Sequence, residues 1–218
     1  MLMTEKLFWT DPYQTTLQTA ICSVEDDWIG CEQTIFYAFS GGQESDHGHI
    51  AGYPVREAQK RGQDIFYQLP KDHLLKNGDR VVMEIDWERR YRLMRHHFAA
   101  ELVLELIYQR LPDIEKIGAH IAPDKARIDF AWPDNMNSLL DDLTQSAQAI
   151  VDSDQPITSA FSDRENQRRY WKIEGFAEVP CGGTHLRRTA EVGKLSLKRK
   201  NIGGCKERVE VYAAPSTR

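Results

Sequence analysis

Between Trp87 and Leu111 the sequence reads WERRYRLMRHHFAAELVLELIYQRL, a run with neither glycine nor proline. Leu93, Met94, Phe98, Leu102 and Ile107 recur at helical spacing, which predicts one helix of about 22 residues. The chain changes character there. Before it lie short β-rich segments, TLQTAICSVE, QTIFYAF, DIFYQLP and DRVVMEID, with the glycine turn FSGGQESDHGHI among them. Strands this short, separated by turns, predict a small β-barrel or sandwich. After it, KIGAHIA and KARIDFAW predict a hairpin, and a second helix is expected from roughly Asp134 to Asp152, behind Trp132-Pro133. WKIEGFAEV, KLSLKRKN and CKERVEVYA read as further strands. The expectation is an α+β chain of two domains, 1–87 all-β and 88–218 mixed.

A chain of 218 residues, 41% hydrophobic and 28% charged, can bury a substantial core. The opening MLMTEKLFWTD has Glu5 and Lys6 and no apolar run, so no signal peptide is expected. No stretch reaches the roughly 18 apolar residues of a membrane span. Cys22, Cys31, Cys181 and Cys205 are few and irregularly spaced, which fits a reducing cytoplasm better than a disulfide framework. A net charge of -5 argues against broad, non-specific nucleic-acid binding but leaves room for a local basic surface.

Two pairs carry metal-ligand chemistry. Cys181 and His185 stand four apart in VPCGGTH, where Gly182 and Gly183 let the backbone turn tightly. His97 and Glu101 also stand four apart, on one face of the long helix. A histidine and a carboxylate on a partly buried stripe need a partner, and one metal ion would satisfy both. His97, Glu101, Cys181 and His185 form an N/O/S/N set that suits Zn²⁺. Each pair also has an ordinary reading: an intrahelical hydrogen bond, and a core thiol beside an imidazole.

Taken together, MRHHFAAELV and the later PCGGTHLRRTAEVGKLSLKRKNIGGCKERVEVY resemble the AlaX-type alanyl-tRNA editing proteins, relatives of the editing domain of alanyl-tRNA synthetase. TIFYAFSGGQESDHG is similar to that family's glycine motif, T-x-F-Y-P-x-G-G-G-Q-x-S-D-x-G, through Thr34, Phe36, Tyr37, Gly41, Gly42, Gln43, Ser45, Asp46 and Gly48. Four positions depart from the family pattern. Glu101 stands where histidine is usual, Phe98 where threonine is common, Ala38 for the motif proline and Ser40 for one of its glycines.

The resemblance implies a small N-terminal β-barrel followed by an α+β editing domain of the threonyl/alanyl-tRNA synthetase type. It implies one zinc ion per chain, held by His97, Cys181, His185 and the residue at 101. The implied activity is hydrolysis of the ester in mischarged tRNA for alanine, chiefly seryl and in some cases glycyl. Glu101 could then be an oxygen ligand, or a general base beside three ligands. Gln43 is a candidate catalytic residue, and Thr34, Gly41, Gly42, Gly182, Gly183 and Thr184 are candidates for the substrate pocket. Thr34 is the candidate for reading the serine hydroxyl.

Residues 185 to 208 hold Arg187, Arg188, Lys194, Lys198, Arg199, Lys200, Lys206 and Arg208 against Glu191 and Glu207. That local excess beside the metal pair predicts a grip on tRNA phosphates, with Arg187, Arg188, Lys198, Arg199 and Lys200 as candidates. Nothing in the sequence resembles an ATP site, so aminoacylation is not expected, and no membrane partner is expected. Two other readings stand beside this one: a metal-binding interaction module that does not edit, and a hydrolase with Cys181 as nucleophile and His185 as base.

Overall fold

The computed structural model describes residues 4–215, so residues 1–3 of the opening stretch lie outside it. The described residues divide into two compact units, one running to residue 40 and from 44 to 91, the other holding Gly41–Gln43 and the residues from 92 onward.

The first unit contains β1 (Glu5–Lys6), β2 (Thr16–Glu25), β3 (Trp28–Cys31), β4 (Gln33–Thr34), β5 (Gly48–Ile50), β6 (Tyr53–Pro54), β7 (Glu57–Arg61), β8 (Asp64–Gln68) and β9 (Arg80–Ile85). Seven of these form one antiparallel sheet in the order β6-β5-β9-β2-β3-β8-β7, and β1 pairs with β4 in parallel. Along β9 the inward positions Val81, Met83 and Ile85 alternate with exposed residues, the period-2 pattern of a sheet with one buried face.

QTIFYAF is not a strand beyond Thr34, although Ile35, Phe36 and Tyr37 are buried. The reason is where its backbone groups go. The Tyr37 N–H donates to Asp46 Oδ2 at 2.6 Å, and the Ile35 carbonyl accepts from Arg90 Nη2 at 2.6 Å. Arg90 and Asp46 form a fully buried ion pair, and Arg90 also reaches the Pro12 carbonyl at 2.9 Å. Such a pair persists in a core only when every donor and acceptor is met, as here.

The helix α1 (Trp87–Arg110) begins at Asp86, whose Oδ1 accepts the Arg89 N–H at 3.1 Å, and ends just before Leu111-Pro112. The second unit continues with β10 (Glu115–Ile121), β11 (Ala126–Ala131), α2 (Leu140–Asp152), β12 (Thr158–Asp163), β13 (Arg168–Ile173), β14 (Ala177–Pro180), β15 (Lys194–Asn201) and β16 (Lys206–Ala214). It has two antiparallel sheets, ordered β10-β11-β16-β15 and β12-β13-β14. The whole is therefore mixed α+β.

Two expected elements differ. The second helix starts at Leu140, because Asn135 first caps a single 3₁₀ turn over Met136–Leu139. It buries Leu140, Leu143, Ala147 and Val151, an i, i+3, i+7, i+11 stripe, and packs on β15. WKIEGFAEV is two strands, β13 and β14, because Gly175 takes φ +75° and turns the chain back. No helix among the described residues is long and apolar enough to cross a membrane.

Candidate metal centre

The β13–β14 hairpin delivers Cys181. Its N–H donates to the Arg169 carbonyl at 2.9 Å, which extends the pairing one residue past Pro180. The chain then leaves the sheet through Gly182 and Gly183 and is caught again where the Ile157 N–H donates to the Arg187 carbonyl at 2.8 Å. His185 lies between those anchors. Of the two glycines only one is sterically required. A methyl carbon added at Gly183 would stand 2.3 Å from His97 Cε1, whereas one at Gly182 meets nothing within 4 Å. The Gly183 backbone thus lies close against the His97 imidazole.

His97 and Glu101 reach this loop from successive turns of α1. His97 Nε2 is 3.2 Å from Cys181 Sγ, and His185 Nε2 is 3.3 Å from the same sulfur. The ligand atoms of His97, Cys181 and His185 all lie within 4.8 Å of one another. Glu101 falls outside that trio but beside it, with Oε1 3.7 Å from His97 Nε2 and 4.0 Å from Cys181 Sγ. Its Oε2 accepts from Trp171 Nε1 at 3.0 Å. On the far side, His185 Nδ1 is 2.9 Å from Ser159 Oγ.

Burial governs the charge state of the trio. It pushes both imidazoles below their ordinary range, His185 furthest, and for His185 the neighbouring His97 adds to the effect. It pushes the Cys181 thiol up to about 12, and the Glu101 carboxylate adds to that. Without a cation these donors are held neutral. Behind the loop, the buried Arg169 donates to the Gly183 carbonyl at 3.4 Å; burial lowers its pKa to about 10, so it stays cationic at neutral pH.

The residues fit a divalent ion. Each imidazole nitrogen sits 3.2 or 3.3 Å from the thiol sulfur, near the separation of about 3.5 Å that tetrahedral zinc bonds of about 2.0 and 2.3 Å require. One thiolate and one carboxylate would balance a double positive charge where no net buried charge is tolerated. Buried His97 Nδ1 has no hydrogen-bond partner among the described residues; the ring packs against Gly183 and, edge-on at 5.3 Å, against the His185 imidazole.

The glycine motif contributes to the same unit. Gln43 bridges to Ile121 of β10, and the Ile121 N–H donates to the Gly42 carbonyl at 2.8 Å. Gly42 has φ +87°, and a Cβ there would stand 2.6 Å from the Ala119 carbonyl oxygen; Gly41, at φ +60°, has open space around it. Gln43 Nε2 donates to Thr184 Oγ1 at 2.9 Å, and both residues are buried, so the motif ties down the Cys181–His185 loop. Thr34 lies in the other unit. Its hydroxyl bonds to the Tyr67 hydroxyl, accepts the Phe36 N–H at 2.9 Å and touches Met83 Sδ at 3.4 Å. The hydroxyl is thus buried and bonded within its own unit.

The five candidate phosphate contacts separate by partner. Arg199 forms a two-pronged pair with buried Glu207 at 2.5 and 2.6 Å, and Arg188 pairs with Asp154 at 2.7 Å. The Arg187 and Arg188 N–H groups both donate to Glu191 Oε1 at 3.0 Å. Lys198 and Lys200 lie exposed on the opposite face of β15 from Arg199, with Lys198 Nζ 5.1 Å above the Tyr212 ring. Sequence reasoning missed Ser159, Arg169 and Trp171. A serine, an arginine and a tryptophan in strands carry no spacing signal, and only the strand register brings them to the site.

No family model matches the chain. It is 32% identical over 214 residues to the alanyl-tRNA editing protein AlaX-M of Pyrococcus horikoshii, an alignment covering 96% of this chain and 98% of that protein. It is 34% identical over 218 residues to the alanine–tRNA ligase of Ignicoccus hospitalis and 29% identical over 228 residues to that of Methanococcus maripaludis. Those alignments cover 89% and 95% of this chain but only 24% and 26% of the ligases. With that near end-to-end match, the chain belongs to the AlaX-type alanyl-tRNA editing proteins and is related over the same span to part of the alanine–tRNA ligases.

Proposed function

We propose that this protein hydrolyses the ester bond of mischarged tRNA for alanine, with serine as the misplaced amino acid and glycine the second candidate. The observation that carries the reading is the trio of buried His97 and His185 around half-buried Cys181, with a carboxylate oxygen beside it. These three would hold zinc, one ion per chain. When bound, zinc supplies a lowered pKa to water and polarises an ester carbonyl.

The chain's own residues have separate parts. Glu101 lies outside the group formed by the other three donors and keeps one oxygen on Trp171, and on that ground it is assigned as general base rather than fourth ligand. Its Oε1 would take the proton of the attacking water while Oε2 stays on Trp171. Gln43 and Thr184 hold the loop that carries two donors. Cys181 as nucleophile fits poorly: burial and the Glu101 carboxylate push its thiol up to about 12 against the opposing pull of the Gly183 N–H and Arg169, and both neighbouring imidazoles are held neutral.

Phosphates of the acceptor end would be gripped by Lys198 and Lys200, with Lys194 and Lys206 on the same strands. By family analogy the N-terminal sheet plays the part of the small barrel, and a tRNA substrate puts the work in the cytoplasm. The test is hydrolysis of seryl-, glycyl- and alanyl-tRNA for alanine by zinc-replete and chelated protein. Loss of the seryl ester with the alanyl ester spared, abolished by chelation, is expected. Equal hydrolysis of all three, or activity indifferent to chelation, would overturn the reading.

A further inference from the structure

We propose that Ser159 and Trp171 are positioning residues that together aim the metal centre's two outer groups, His185 and Glu101. They are Cα partners across the β12–β13 hairpin, so a single register places both. The inference rests on the metal reading above and concerns what holds the donors in place.

Ser159 Oγ lies 2.9 Å from His185 Nδ1. With Nδ1–H donated to that oxygen, the lone pair of Nε2 is left facing Cys181 Sγ. Partners of this kind fix ring orientation and tautomer at metal-binding histidines. Trp171 does the complementary job. An indole N–H can only donate, so its 3.0 Å bond to Oε2 of Glu101 has one direction and selects the carboxylate oxygen left for the site. Oε1 is that oxygen, held between His97 Nε2 and Cys181 Sγ.

Trp171 is itself packed on both sides. It is fully buried, with the Phe98 ring edge-on at 5.1 Å and the Phe176 ring stacked at 6.5 Å. Phe98 also packs edge-on against His185 at 6.1 Å. Both helix positions that depart from the family pattern therefore meet this indole, Phe98 through its ring and Glu101 through its carboxylate. The hairpin acts as a jig, with a hydroxyl for the imidazole and an indole for the carboxylate.

The probe is Co²⁺ alone, added to metal-free full-length protein and followed by its d–d absorption, which reports coordination independently of hydrolysis. Ser159→Ala is expected to weaken Co²⁺ binding about 10- to 100-fold, with Ser159→Thr restoring most of it. Trp171→Phe keeps an aromatic ring beside Phe98 but removes the N–H that holds Glu101 back, so the freed carboxylate can turn onto the ion as a further ligand. It should shift the d–d bands, and that shift should vanish when Glu101→Ala is already present. Wild-type Co²⁺ affinity in Ser159→Ala together with a wild-type spectrum in Trp171→Phe would overturn the inference. Wild-type protein that takes up no Co²⁺ would remove the metal reading itself, and the inference with it.

Discussion

Gly183 and Gly182 look alike in sequence, and their neighbours in space make them opposites. At Gly183 a methyl group would be driven into the buried His97 ring, which must then rotate away from Cys181; at Gly182 there is room. Gly183→Ala should therefore cut zinc affinity at least about 10-fold, the scale of a misplaced ligand. Gly182→Ala should leave it unchanged, as competition with a chromogenic chelator would read. Glu101 is the second residue on which much turns. As general base it predicts that Glu101→Gln keeps its zinc but loses roughly 100-fold or more in single-turnover deacylation of seryl-tRNA. Lost zinc in that variant would make it a ligand instead. The sequence could nominate both residues but could not rank them, because a collision at 2.3 Å and a gap of 3.7 Å are properties of packing. Thr34 shows another limit: its motif position nominates it for specificity, but the bonds of its hydroxyl to Tyr67 and Phe36 are not legible in the sequence.

Elements were legible where period and punctuation agreed. Helix α1 announces itself through its unbroken apolar recurrence and Pro112, and β9 through strict alternation. QTIFYAF misled because its backbone partners are side chains, the Asp46 carboxylate a few residues on and the Arg90 guanidinium far along the sequence, and no strand pattern encodes that. His96 is another such long-range tie. Its Nε2 accepts the Ala213 N–H of β16 at 3.2 Å and must be bare to do so, while Nδ1–H donates to the Arg92 carbonyl at 3.0 Å. Burial pushes this imidazole below its ordinary range, Arg95 and the Arg92 guanidinium adding to that while the Arg92 carbonyl and Asp124 oppose it. A lowered folded-state pKa means that below about pH 6.5 the unfolded chain takes a proton the folded chain refuses. The stability His96 contributes is thus full above about pH 6.5 and is lost as pH falls below it, by at most about 1.4 kcal/mol per pH unit. In urea titrations of metal-free protein, the stability gap between wild type and His96→Gln should narrow from pH 7 to pH 5. A constant gap would show that His96 does not titrate there.

At the scale of the whole molecule, a net charge of -5 has to coexist with a polyanionic partner. The linear tally of basic residues after His185 pointed to a phosphate grip, yet it counted cations that the fold has already neutralised. Arg199 and Lys200 are adjacent in sequence and lie on opposite faces of β15. Arg199 belongs to Glu207, which is 3% exposed and also accepts from Asn201 at 3.2 Å. Among the described residues Lys194, Lys198, Lys200 and Lys206 form no direct ion pair, although Lys200, after Lys125, is near enough to Glu210 to lower its carboxyl pKa. Two separable outcomes are expected. Lys198→Ala with Lys200→Ala should weaken tRNA binding and flatten the plot of log K against log salt by about 0.9 for each duplex phosphate that is no longer neutralised. Hydrolysis of a small seryl ester should stay intact, because the change leaves the metal centre untouched. Arg199→Ala should lower the melting temperature by stranding the Glu207 carboxylate, while the salt slope stays at the wild-type value. Filter binding at several salt concentrations, set beside thermal melts of the same proteins, separates the two. If Arg199→Ala flattens the slope and the lysine pair does not, the tRNA lies on the face of β15 that carries Arg199, and the assignment of the lysine face is wrong.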